Sequence, residues 1–170
     1  MKKAGLARIV LIVTLMGSLI ACDQVTKSIA RNHIGYEDRI EVVKSFITLT
    51  RVNNTGAFLS FGQHLPAVFH WIIMILLPLA VLGYAMAFLF KHDRLPASVL
   101  IAVTMLVSGG VGNLIDRIFF GSVTDFLYFD FKIFHTGIVN VADMAITAGF
   151  ILLALKIIIS GKSLKSSMQE

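Results

Sequence analysis

The stretch ASVLIAVTMLVSGGVGNLI, residues Ala97–Ile115, decides the architecture. It holds no charged residue, and about 20 consecutive apolar residues are what a helix needs to cross the hydrocarbon core of a bilayer. Ser108, Gly109, Gly110 and Gly112 crowd its second half. Side chains this small let helices approach closely, so the segment reads as a span packed among other spans. The glycines are not a phosphate cradle, because no Lys-Ser/Thr follows them. The run closes on Asp116-Arg117, read as a structural ion pair at a helix end rather than as a catalytic acid.

Three further apolar segments flank this one: Leu6–Ala21, Ala67–Phe90 and Ile138–Ile159. The first is short, and reaches span length by continuing helically through Asp23 and Lys27 to Ala30. Pro66 and Pro96 stand just before the second and third spans, where a helix tolerates proline. Pro78, inside the second, is expected to kink it. Composition agrees with the membrane reading. Of the 170 residues 56% are hydrophobic and 15% charged, with mean hydropathy +0.83; a soluble domain carries about 25% charged residues. A net charge of +5 does not point to nucleic acid, since the basic groups sit at the ends of apolar stretches. One cysteine, Cys22, excludes an internal disulfide and a Cys-based metal cage. The histidines form no ligand pair, so no metal and no cofactor is expected.

Lys and Arg placement sets the orientation. With the N-terminus cytoplasmic, the inside segments hold eight basic residues (Lys2, Lys3, Arg8, Lys91, Arg94, Lys156, Lys162, Lys165) against Asp93 and Glu170, a net of +6. The outside segments hold seven basic and eight acidic residues, a net of −1. Both termini are expected inside. Glu41–Phe61 is rich in Val, Ile, Thr and Phe and is broken by Asn53-Asn54-Thr55-Gly56, which reads as two short strands and a turn. Leu127, Phe129, Phe131 and Ile133 alternate with Tyr128, Asp130 and Lys132, the pattern of an amphipathic strand. The expected fold is a membrane all-α bundle of four transmembrane helices with a small extracytoplasmic β-sheet. It forms a single domain over residues 1–170, with spans at about 6–30, 67–90, 97–115 and 138–159 and outer segments at about 31–66 and 116–137.

Because the spans alternate in direction, three helix ends share the outer side. They bring Asp23 with Lys27, Asn113 with Asp116 and Arg117, and Asn140 with Asp143, each set at helical spacing. Asp125 lies in the short loop between the third and fourth spans. Ionisable residues at membrane depth face the bundle interior or a wet cavity. Asp143 opens a span with no other charge until Lys156 near its far end, which favours function. Asp23 with Lys27 fits helix-end anchoring and site support equally, and Asp130 with Lys132 reads as a solvated strand face. His70 and Trp71 mark the interface. Two carboxylates held close share one proton. The ionised one then takes a proton from water while the protonated one polarises a carbonyl.

Five motifs occur in order: Asp23-Gln24-Val25-Thr26-Lys27, Asn53-Asn54-Thr55-Gly56-Ala57-Phe58, Gly112-Asn113-Leu114-Ile115-Asp116-Arg117, Gly121-Ser122-Val123-Thr124-Asp125-Phe126 and Asn140-Val141-Ala142-Asp143. Together they resemble lipoprotein signal peptidase (signal peptidase II), from Asp23 to Ile146. The resemblance implies a four-helix aspartyl endopeptidase that cleaves diacylglyceryl-modified prolipoproteins before the lipidated cysteine. It makes Asp125 and Asp143 the catalytic pair. Asp23, Lys27, Asn54, Gly56, Asn113, Arg117 and Asn140 match positions that surround the pair or hold substrate, and Asp116 joins them as a supporting residue. It also implies a monomeric enzyme of the bacterial cytoplasmic membrane, whose partners are prolipoproteins and membrane lipid. Val139 and Thr55 depart from the family's usual residues. Three rivals fare less well: a small transporter or scaffold using the polar cluster as a relay, for which no broken-helix repeat or paired half is visible; a lipoprotein precursor with lipobox Leu19–Cys22, against which the three remaining long spans argue; and a serine–lysine protease using Ser60 or Ser122 with Lys27, which no motif supports.

Overall fold

The computed structural model describes residues 3–56 and 66–167. In chain order these are α1 (Lys3–His33), β1 (Ile40–Val43), β2 (Ile47–Asn54), α2 (Ala67–Trp71), α3 (Leu77–Lys91), α4 (Ala97–Phe120), β3 (Val123–Phe129) and α5 (Val141–Ser167). Among the described residues, four helical segments are long and apolar enough to cross a membrane: Gly5–His33, Val68–Lys91, Ala97–Phe120 and Val141–Ser160.

The first span does continue through Asp23 and Lys27, and ends at His33. The third runs on to Phe120, so Asp116 and Arg117 are helical. It stops because Gly121 adopts φ 70, a left-handed cap, and returns its N–H to the Arg117 carbonyl at 3.1 Å. The fourth begins at Val141, later than Ile138, because Val139 is committed to the sheet. In the second span the effect of Pro78 is a π-helical turn, Ile72–Leu76, set between α2 and α3. A proline has no N–H for the carbonyl four residues back and its ring crowds that carbonyl, so a wider turn just ahead of it relieves both.

Helix α4 is the centre of the bundle, touching α1, α3 and α5. Ile12 of α1, Leu89 of α3 and Leu100 and Val107 of α4 form its buried apolar core. Outward-facing residues such as Val10, Leu79, Val81, Phe150 and Ile157 are exposed, as expected for side chains whose solvent is lipid. The α4–α5 contact is close. A Cβ built on Gly109 would collide with the Ala142 carbonyl oxygen and lie 2.7 Å from the Ile146 side chain. At the end of the bundle away from the sheet, Arg8 donates to the Leu89 carbonyl and faces Asp93 at 4.0 Å.

The sheet is antiparallel with order β1-β2-β3. Its hairpin corrects the expected turn. The chain reverses between Val43 and Ile47, with Ser45 at φ 56, while Asn53 and Asn54 stay in β2 opposite Thr124 and Val123. Residues 57–61 of the second expected strand lie outside the described residues. The strand expected at Leu127–Ile133 begins earlier, at Val123, and ends at Phe129. Asp130 then accepts the Lys132 N–H at 2.8 Å in a turn where Lys132 takes φ 66. Asp125 therefore sits on β3, paired with Val52, and not in a loop. Ala30 of α1 and Ile34 just beyond its end pack against Phe126 and fix the sheet to the bundle end.

Candidate active site

Strand β3 carries more than its sheet partner. On its other edge Val139 bridges Leu127, with N–H···O contacts of 2.8 Å in both directions. That bridge brings Asn140, the residue before α5, up against the strand that bears Asp125. Asn140 is 0% exposed, and its side chain serves both aspartates. Nδ2 donates to Asp125 Oδ1 at 2.6 Å, while Oδ1 accepts the Asp143 N–H at 2.9 Å. The Asn140 N–H in turn faces Asp143 Oδ2 at 3.2 Å. This reciprocal pair is an N-terminal helix cap, with asparagine as cap and aspartate three residues on.

Each aspartate has a second amide donor. Asn54 Nδ2 lies 3.1 Å from Asp125 Oδ2, and Asn113 Nδ2 lies 2.8 Å from Asp143 Oδ1. Asn54 also accepts the Gly56 N–H at 3.0 Å, folding the end of β2 toward Arg117, which donates to the Gly56 carbonyl at 3.0 Å. The Nε of Arg117 is buried with no hydrogen-bond partner among the described residues. Burial first, then the charge of Asp143, raises the Asp125 carboxyl from 3.8 to about 6, against the hydrogen bonds from Asn54 and Asn140 and the charge of Lys27. Asp125 is 3% exposed and Asp143 partly exposed, so the pair opens on the Asp143 side.

A second cluster lies beneath. Lys27, fully buried, places Nζ 2.9 Å from Asp23, 3.6 Å from Asp116 and 2.9 Å from the Asn113 side-chain oxygen. That same oxygen accepts Asn140 Nδ2 at 3.2 Å and so joins the two clusters. Asp23 Oδ1 accepts the Ala142 N–H at 2.9 Å, capping α5 from α1. A Cβ on Gly112 would sit 2.6 Å from Asp23 Oδ2, so only glycine leaves room for this carboxylate.

The expected Asp116–Arg117 pair is not formed. Asp116 faces Lys27 and Arg31, and accepts Gln24 Nε2 at 3.2 Å and the Thr124 N–H at 3.0 Å. Neighbours on a helix do not face each other, and Arg117 points instead to Gly56. The structure thus brings Asp23, Lys27, Asn54, Gly56, Asn113, Asp116, Arg117, Asp125, Asn140 and Asp143 to one end of the bundle. Gln24, Arg31 and Thr124 also belong to the network and were not singled out. Arg31 had one signal available: with Asp23 and Lys27 it completes a four-residue spacing on one face of α1. Lys27 is taken up by Asp23, Asn113 and Asp116, which leaves the serine–lysine reading no support at Ser122; Ser60 lies outside the described residues.

Four apolar helices enclosing a polar, carboxylate-bearing site define a polytopic membrane protein with an internal functional centre. Two solved bacterial membrane enzymes share the architecture. One, determined by the in meso method at 2.3 Å, has a TM-score of 0.81 at 24% identity over 90% of each chain, a likeness of fold alone. The other, at 1.9 Å, has a TM-score of 0.74 at 26% identity over 86% of this chain and 92% of its own. Residues 15–159 match the family described as signal peptidase (SPase) II. The lipoprotein signal peptidase of Streptococcus agalactiae serotype V is 36% identical over 86% of this chain and 90% of its own length. That of Desulforapulum autotrophicum is 34% identical over 93% and 96%. The chain belongs to the signal peptidase II family, and is a membrane protease.

Proposed function

We propose that the chain is an aspartyl endopeptidase that removes the signal peptide from diacylglyceryl-modified prolipoproteins, with Asp125 and Asp143 as the catalytic pair. One observation carries the reading. Among the described residues, Asp23 and Asp116 are ion-paired, whereas Asp125 and Asp143 form no ion pair and are held by the neutral amides of Asn54, Asn113 and Asn140. Neutral donors orient a carboxylate without fixing its charge, which is what a proton-exchanging pair requires.

The pair carries one proton between its two members. The ionised carboxylate takes a proton from water as the water oxygen attacks the scissile carbonyl. The protonated carboxyl gives its proton to the carbonyl oxygen, forming a neutral tetrahedral diol. Collapse of the diol breaks the C–N bond, with a proton passed to the leaving nitrogen and the shared proton restored. Water is the nucleophile and no acyl-enzyme forms. Arg117, held at Gly56, and Asn54 border the side from which a peptide enters.

The site lies at the sheet end of the bundle, which the charge asymmetry assigns to the extracytoplasmic face of the cytoplasmic membrane, with both termini inside. Acyl chains of the substrate remain in lipid while the peptide reaches the pair, and a single chain holds the whole site. Asp125→Asn and Asp143→Asn test the reading: each should insert and fold, yet lose turnover of a lipidated prolipoprotein by at least about a thousandfold. Substantial turnover per folded molecule in either variant removes that residue from the mechanism.

A further inference from the structure

Resting on the reading that Asp125 is catalytic, we propose that Arg31 is a positioning residue, which fixes Thr124, and with it Asp125, to the α1–α4 helix pair. Its Nη1 lies 3.1 Å from Thr124 Oγ1 and 3.5 Å from Asp116 Oδ2. The same Asp116 oxygen accepts the Thr124 N–H at 3.0 Å. Thr124 is therefore gripped at backbone and side chain by residues from two helices, and the next residue is Asp125. The guanidinium is itself held, its central carbon 4.2 Å from the Phe120 ring centre, and the Arg31 backbone is held by Arg51 of β2, which donates to its carbonyl at 2.7 Å. The side chain of Arg31 thus joins α1 to α4 and β3, while its carbonyl ties the same residue to β2.

Its loss does not strand a buried charge. Without Arg31, Asp116 keeps Lys27 at 3.6 Å, Gln24 at 3.2 Å and the Thr124 N–H. The effect falls on the placement of β3, and hence on the height of Asp125 against Asn140 and Asp143. Misplacement of a reacting group lowers the chemical step more than it weakens substrate binding.

The test uses the full-length protein in lipid or detergent with a lipidated prolipoprotein peptide, measuring kcat, KM and thermal unfolding. Arg31→Met should lower kcat about tenfold or more while KM changes by less than about threefold. Arg31→Lys should recover part of the lost kcat, since a single nitrogen makes both contacts while the stack on Phe120 is given up. Thr124→Val should reproduce the kcat loss, and Arg31→Met with Thr124→Val together should be no worse than the poorer single variant. Unchanged kcat in Arg31→Met, additive losses, or no recovery by Arg31→Lys overturns the proposal. If Arg31→Met does not fold, Thr124→Val, which leaves every ion pair intact, decides alone: unchanged kcat overturns the proposal. Turnover by Asp125→Asn overturns the catalytic reading and this proposal with it; an inactive Asp125→Asn beside a normal Arg31→Met overturns this proposal alone.

Discussion

The side-chain amide of Asn140 lies 2.6 Å from Oδ1 of Asp125, and its oxygen receives the N–H of Asp143. One neutral residue therefore sets the separation of two carboxylates that arrive from a strand and a helix. Asn140→Ala should cut turnover about a hundredfold. It should also cost about 1–3 kcal/mol of stability, because a buried acceptor and a helix cap are lost together. Turnover near the parent level in folded Asn140→Ala would show that the pair is spaced by something else.

The raised Asp125 carboxyl makes stability depend on pH. Between about pH 4 and 6 the folded protein retains a proton that the unfolded chain has released. This residue's contribution is therefore full below about pH 4 and lost as pH rises through about 6. Asp125→Asn removes that loss, so its unfolding temperature should exceed the parent's at pH 7 by the equivalent of at most about 3 kcal/mol. The gap should close by pH 4. Thermal unfolding in detergent at the two pH values checks this, and a gap of equal size at both would refute it.

Lys27 stands between two buried carboxylates, Asp23 and Asp116. Lys27→Met should destabilise by about 3–5 kcal/mol, since it strands buried charge. Adding Asp23→Asn should recover part of that loss: the new side-chain oxygen can still accept the Ala142 N–H, and one uncompensated charge is gone. Folded yield and unfolding temperature of the single and double variants give the answer. A double variant less stable than Lys27→Met would contradict this account.

Gly109→Ala should force α4 and α5 apart, because the new methyl meets backbone at Ala142, the residue before Asp143. A loss of about 1–3 kcal/mol is expected, with reduced turnover. Gly83→Ala, whose added carbon meets nothing within 4 Å, is the matched control. Equal unfolding temperatures for the two variants would count against close packing at Gly109.

Cys22 is exposed within an unbroken helix from Lys3 to His33. Cleavage before it would detach Ile12 from the core and Arg8 from Leu89. Cys22→Ala should leave turnover within about twofold of the parent, as exposed substitutions away from buried contacts are near neutral, and intact mass should show no lipid at Cys22. A diacylated chain beginning at Cys22 would instead make the protein a substrate.

The second and third spans were readable as long runs without Asp, Glu, Lys or Arg, and the first and fourth as apolar runs with charges only toward their ends. The polar residues of the site were readable because three helix ends had to share one side. The partners were less so. Asp116 was matched to its neighbour Arg117, although adjacent helical residues point about 100° apart; its true partners, Lys27 and Arg31, lie far away in sequence. Asp125 was read as a loop residue because Val123–Phe126 is buried throughout and shows no alternation. The hairpin turn was sought at Asn53–Gly56 for its composition, but it forms around Ser45, with no glycine to mark it.

Lys27 also orders the birth of the molecule. As α1 leaves the ribosome its ammonium has only Asp23 beside it; Asn113 and Asp116 are synthesised more than eighty residues later. The first helix therefore enters the bilayer carrying a charge whose remaining partners do not yet exist, and it can settle only when α4 arrives. Asp143 comes later still, at the head of the last helix. On the proposed reading, a nascent chain therefore holds no complete carboxylate pair, and no activity, until that helix begins to insert.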